Sequence, residues 1–131
     1  MAKFSQRSLD RLSSCHPDLR RLFVEVIRQT DCAVLCGHRG ELEQNAAFDR
    51  GLSKLKFPLS KHNSLPSLAV DVVPYPVNWN DTEAFQRFAT IVLETAKRLN
   101  IPIRWGGDWN QNGSSADERF LDMPHFELLR A

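Results

Sequence analysis

Two histidines and two carboxylates fall in three short, apolar-flanked segments: His62 in Ser60-Lys61-His62, Asp71 in Ala69-Val70-Asp71, and Asp122 and His125 in Asp122-Met123-Pro124-His125-Phe126-Glu127. Imidazole and carboxylate are zinc-binding side chains, and four of them can give three ligands to one ion while leaving one acid free. Three protein ligands, a fourth position open to water and a nearby base are the parts of a catalytic zinc site. Asp71 stands out individually, because it interrupts the apolar run Leu68-Ala-Val-Asp-Val-Val73. A carboxylate in a buried strand is costly unless it is paired or metal-bound, although a simple hydrogen-bonded aspartate is the ordinary reading.

Arg39 follows the apolar run Ala33-Val34-Leu35-Cys36-Gly37, which puts a permanent cation just beyond a buried strand, where pocket mouths often lie. Its bland alternative is a solvated turn arginine. His38, in the same Gly37-His38-Arg39-Gly40 turn, reads as solvent-facing, and His16, beside Pro17, as a surface or cap residue. Cys15, Cys32 and Cys36 are odd in number and lack CxxC spacing, so they read as free thiols in an apolar setting.

These segments must be positioned by regular elements. Helices are expected over Ser8 to Leu12 and Pro17 to Gln29, the second with Leu19, Leu22, Phe23, Val26 and Ile27 on one face and Pro17 in its first turn. A strand over the Ala33 run leads through the Arg39 turn into a helix from Glu41 to about Phe48. From Gly51 to Pro66 the periodicity fails and a surface loop is expected, followed by the strand that carries Asp71. Asp81 to Leu99 is the clearest helix, capped by Asp81 or Asn80, with Phe85, Phe88, Ala89, Val92, Leu93 and Ala96 on its apolar face. Ile103-Arg104-Trp105 reads as a strand and Gly106-Gly107-Asp108-Trp109 as a turn; Asn110 to Glu118 is polar and expected to be mobile. His125 to Leu128 is the last strand, with His125 and Glu127 on one face. Clustered short strands at the end of a chain of mixed elements point to an α+β fold with a small, mostly antiparallel sheet packed with helices.

A length of 131 residues suits one compact domain, 1–131, that needs no disulfide staple. The net charge of +1, with no basic stripe, gives no footprint for nucleic acid. No apolar run approaches the length of a membrane span, and the polar start Met1-Ala-Lys-Phe-Ser-Gln-Arg7 reads as helix rather than secretory signal.

Together, Gly37-x-Arg39, Ser60-x-His62, Ala69-x-Asp71 and Asp122-x-x-His125 resemble the zinc D-alanyl-D-alanine carboxypeptidase and L-alanyl-D-glutamate peptidase family, whose members cut the peptide stems of bacterial cell walls. Gly106-Gly107-Asp108-Trp109 and Pro124-His125-Phe126-Glu127 look like its phage endolysin members. The resemblance departs in one place: the family pattern Ser-x-His-x-x-Gly-x-Ala-x-Asp is two residues shorter than the path from His62 to Asp71 here.

The resemblance implies a hedgehog/DD-peptidase-like fold and one zinc ion per chain held by His62, Asp71 and His125. It implies Asp122 as general base and Arg39 as the group that stabilises an oxyanion or holds a substrate carboxylate. Ser60, Trp105 and Trp109 become candidate substrate contacts, and Asp108 and Glu127 candidate partners that orient a ligand imidazole. The expected enzyme is a monomeric zinc metallopeptidase acting on peptidoglycan at the L-alanyl-D-glutamate bond, stored in the host cytoplasm and released to the wall through a separate membrane lesion. The alternatives are a D-alanyl-D-alanine carboxypeptidase and a non-catalytic zinc-binding module of the same fold. A module of that kind needs the three ligands but no Asp122.

Overall fold

The computed structural model describes residues 2–108, 111 and 122–129. The described elements run α1 (Gln6–Ser13), α2 (Pro17–Ile27), β1 (Cys32–Cys36), α3 (Glu41–Asp49), a 3₁₀ turn (Lys61–Asn63), β2 (Ala69–Pro74), α4 (Thr82–Arg98), β3 (Ile103–Trp105) and β4 (His125–Leu128). The fold is α+β, as expected. The strands form one antiparallel sheet in the order β1-β2-β4-β3.

Local chemistry explains the helix boundaries. Ser5 caps α1 by accepting from Ser8 N at 3.2 Å, and Asp81 caps α4 by accepting from Ala84 N at 3.1 Å. His16 caps α2, its Nδ1 accepting from Asp18 N at 3.0 Å, while Pro17 occupies the first turn. α2 stops at Ile27, short of Gln29, because Gln29 N folds back onto Val26 O and its amide donates to Thr95 of α4.

The apolar faces of α2 and α4 meet each other and cover one side of the sheet. Leu19, Leu22, Phe23 and Val26 from α2 and Phe88, Ala89, Val92 and Ala96 from α4 are buried with Val70, Val72, Phe126 and Leu128 from the two central strands. The Phe126 ring takes edge contacts from Phe23 and Phe88, with centroids 5.8 and 6.1 Å away. Because side chains alternate across a strand, this inward set obliges Asp71, His125 and Glu127 to share the other face. The sheet therefore separates a dry core from a polar face.

β1 carries an irregularity between Val34 and Cys36 that brings Cys36 opposite Asp71. A bulge of this kind bends an edge strand and re-aims the chain beyond it, here the Gly37–Arg39 turn. Gly37 is required there: a Cβ would collide with Arg11 O and Ser14 Oγ at the end of α1. The segment expected to be plain surface loop, Gly51 to Pro66, contains the 3₁₀ turn that delivers a fully buried His62.

Candidate metal centre and active site

The polar face of the sheet brings His62, Asp71 and His125 together. Asp71 and His125 are opposite each other on β2 and β4. His62 reaches them from the 3₁₀ turn, which Ser60 caps by accepting from His62 N at 3.2 Å, while Asn63 Oδ1 accepts from Ser60 N. The turn is tied to the Arg39 segment by Arg39 N donating to His62 O and Asn63 Nδ2 donating to Arg39 O.

His62 Nε2, Asp71 Oδ1 and His125 Nδ1 form a triangle whose three edges are each 3.2 Å. Ligand atoms at 2.0–2.1 Å from a tetrahedral zinc lie about 3.3 Å apart, so the triangle has the size of one face of a zinc coordination sphere. The far nitrogens are committed elsewhere. His62 Nδ1–H donates to Gly37 O at 2.7 Å, and His125 Nε2–H donates to Glu127 Oε1 at 2.8 Å. Each acceptor fixes the tautomer, leaving the nitrogen that faces Asp71 with its lone pair free for a cation. Two lone pairs 3.2 Å apart beside a carboxylate repel unless a proton or a cation sits between them. The donor set fits a zinc ion.

The ionisation of these groups points the same way. Burial pushes His62 down, but Asp71, with a smaller contribution from Cys36, more than offsets this and raises it to about 10. His125 is raised as well, burial being outweighed by Asp71 and Glu127. Asp71, though desolvated, is held well below the usual carboxylate range by the two imidazoles. Without a metal the trio therefore retains protons, and a divalent cation would bind by replacing them.

Asp122 lies beside the trio, Oδ2 being 3.9 Å from His125 Nδ1. Burial and the charge of Asp71 push its carboxyl up to about 6. Its backbone is clamped by Asp122 N donating to Gly106 O and His125 N donating to Asp122 O. Gly106 allows that approach, since a Cβ there would strike Asp122 O. Arg39 points at the other side of Asp71, with Nη2 3.4 Å from Oδ2.

Glu127 is the carboxylate that meets the outer nitrogen of the His125 ring. Burial raises it, but His125 and Arg104 bring it down to about 2. Its Oε2 is 2.8 Å from Arg104 Nη2 and 3.4 Å from Lys61 Nζ, and Lys61 also donates to Leu128 O. Asp108 is buried in the turn after β3, where its N–H donates to Trp105 O.

Trp105 packs in the core with Nε1 donating to Met123 O at 2.7 Å. Trp109, the other expected aromatic contact, lies outside the described residues. Among the described residues, the tryptophan on the cleft is Trp79. A cleft of about 680 Å³ opens over the site, lined among others by Arg39, Asp71, Trp79, Asp122, Met123 and Arg50. His38, expected to face solvent, is half-buried with Nδ1 2.9 Å from Ser64 O. Cys15 and Cys32 are buried free thiols, whereas Cys36 is half-buried at the site's edge: burial raises its thiol, but the His62 side chain outweighs this and lowers it.

Sequence reasoning passed over Gln44, Asn63 and Arg104. Arg104 was findable, because the two-residue alternation of β3 turns it away from Ile103 and Trp105 toward Glu127. Gln44 had no such signal.

Residues 1–129 match the family described as phage L-alanyl-D-glutamate peptidase, and the chain belongs to that family. It is 31% identical over 135 residues to the L-alanyl-D-glutamate peptidase of Escherichia phage T5, covering 97% of this chain and 98% of that protein. It is also similar to the crystal structure of the Serratia marcescens L-Ala D-Glu endopeptidase ChiX, with a TM-score of 0.74 and 29% identity over 97% of this chain and 90% of the other.

Proposed function

We propose that this protein is a zinc peptidase that hydrolyses the bond between L-alanine and D-glutamate in the peptide stems of bacterial peptidoglycan. The observation that carries the zinc assignment is the 3.2 Å triangle of His62, Asp71 and His125 with both outer imidazole nitrogens held by acceptors. Membership of the phage L-alanyl-D-glutamate peptidase family supports the choice of bond.

His62, Asp71 and His125 would hold the ion. Bound there, zinc supplies a Lewis acid and lowers the pKa of water toward neutrality, with two neutral imidazoles and one carboxylate leaving the centre net positive. Asp122 takes a proton from the attacking water and returns it to the amine of D-glutamate as that group leaves. Burial and Asp71 raise this carboxyl to about 6 before a cation binds, and a bound cation would draw it back down, so it is ionised at neutral pH and able to accept the proton. Arg39, always charged and on the cleft wall, stabilises negative charge developing on the alanyl carbonyl oxygen. Glu127, braced by Arg104 and Lys61, keeps the proton of His125 on Nε2.

In this reading the chain is one catalytic domain working as a monomer on the wall after release from the host cytoplasm. No described helix is long and apolar enough to cross a membrane. Digestion of purified peptidoglycan with mass analysis of the products tests the assignment. The expected soluble products are stem peptides with D-glutamate as the new N-terminus. Release of free D-alanine alone, with the L-alanyl-D-glutamate linkage intact, would replace it with a carboxypeptidase. No release from a zinc-loaded sample would leave a binding module.

A further inference from the structure

Gln44 is a polar side chain on α3 with no solvent exposure, and its amide reaches its full bonding capacity. Oε1 accepts from Arg39 Nη1 at 3.0 Å and from Asn63 Nδ2 at 3.2 Å. Nε2 donates to Ser53 Oγ at 2.9 Å and to Leu55 O at 2.6 Å. Two donors on the oxygen and two acceptors on the nitrogen fix which way the amide points. A buried amide is costly unless satisfied, and an apolar residue would fill the same place without that requirement. This one joins three separate pieces of the molecule: the Arg39 turn, the His62 turn and the 53–55 rim of the loop after α3.

We propose that Gln44 is the positioning residue for Arg39, holding its guanidinium at the metal centre when Asp71 is committed to the ion. Arg39 projects from a turn, and its long side chain loses substantial rotamer freedom to sit in one place. Its contact with Asp71 is long, 3.4 Å, and a divalent cation on Asp71 competes for the same negative charge. The hydrogen bond to Gln44 does not depend on that charge. It therefore persists when the site is loaded. Asn63 steadies the same oxygen while donating to Arg39 O, so backbone and side chain of Arg39 are registered against one framework.

The inference rests on the peptidase reading only for its kinetic arm. The test uses the full zinc-loaded chain and three substitutions, two at Gln44 and one at Arg39. Gln44→Met keeps the length of the side chain but removes both bonding ends. Gln44→Glu keeps an oxygen facing Arg39 and Asn63 while losing the amide donors to Ser53 and Leu55. The primary readout is the ¹⁵N spectrum of the Arg39 guanidinium, with zinc content and Tm recorded alongside. Gln44→Met is expected to make the Arg39 signals average and exchange rapidly, and Gln44→Glu to keep them ordered. On an L-alanyl-D-glutamate stem peptide, Gln44→Met should lower kcat on the order of 10- to 100-fold, the scale of a misplaced catalytic group. Gln44→Glu should recover at least about tenfold of that loss even though its Tm falls too, and Arg39→Lys should make Gln44→Met nearly silent in kcat.

A kcat that simply tracks Tm through both variants, or ordered Arg39 signals in Gln44→Met, overturns the proposal. Should Gln44→Met fail to fold, averaged Arg39 signals in Gln44→Glu overturn it and ordered ones support it. If the wild-type chain leaves the stem peptide uncut, the peptidase reading falls, while the Arg39 spectra still decide the role of Gln44.

Discussion

The two imidazoles of the site are held by opposite means. His62 stands on a 3₁₀ turn outside the sheet and gives its outer N–H to a neutral backbone carbonyl, Gly37 O. His125 stands on a central strand and gives its outer N–H to the carboxylate of Glu127, which is braced by Arg104 and Lys61. A carbonyl partner has no charge to lose with pH and no side chain to mutate, but its direction depends on the loop. A carboxylate partner raises the basicity of its imidazole and can titrate, but the strand keeps it in place. One imidazole is secured by backbone path, the other by charge.

The largest effects should come from removing the ligands, where this difference disappears. His62→Ala and His125→Ala should each lose most of the zinc under equilibrium dialysis and bring peptide cleavage to background. Stoichiometric zinc in either purified variant would show that the two imidazoles are not equivalent ligands. Asp122→Asn comes next and removes the carboxylate beside His125. It should retain zinc yet lower turnover on the order of 100-fold or more. In the wild type, turnover should rise with pH through the ionisation of Asp122, because the base must be unprotonated. That limb lies at or below pH 6, since a bound cation favours the carboxylate over the value of about 6 set by burial and Asp71. Persistence of the same limb in Asp122→Asn would assign it to another group.

The smallest effect is the one most specific to the comparison. Glu127→Gln keeps an oxygen for His125 Nε2–H and removes only charge, so chelator competition should show zinc affinity lower by roughly 10- to 100-fold. The same substitution should alter acid stability. Glu127 titrates at about 2 in the folded chain against 4.5 ordinarily, so its contribution is present above pH 4.5 and fades as pH falls toward 2. Metal-free Glu127→Gln should lose that slope in acid unfolding, and an unchanged slope would mean that Glu127 is not the group responsible.

Legibility in the sequence divides along the same line. Asp71 was legible because it interrupts an apolar run, and β3 and β4 fall where their alternation puts them, which carries His125, picked out by its motif, to the same face as Glu127. Loop residues have no periodicity to violate, so His62 was picked out by its motif and not by a pattern of burial. Gln44 was illegible for a related reason: a polar residue on a short, weakly amphipathic helix reads as solvent-facing, and its burial depends on a loop folding back from residues 53–55. Tryptophans are ambiguous in another way. Trp105, on β3, is core and Trp79, in the turn before α4, lines the cleft, and residue type alone does not separate them.

The pairing of Asp71 with His125 across β2 and β4 also makes the site a check on assembly. These residues are 54 positions apart in sequence, so their meeting requires closure of a long loop, which is among the slower events in folding a small domain. A slip of one position in that pairing would turn one of the two ligands to the helix-covered side of the sheet. Under the proposed function, metal capture should thus discriminate between strand alignments: a chain that has collapsed with its final strand out of step cannot complete the chelate, and by mass action a bound zinc ion would draw the population toward the alignment that can.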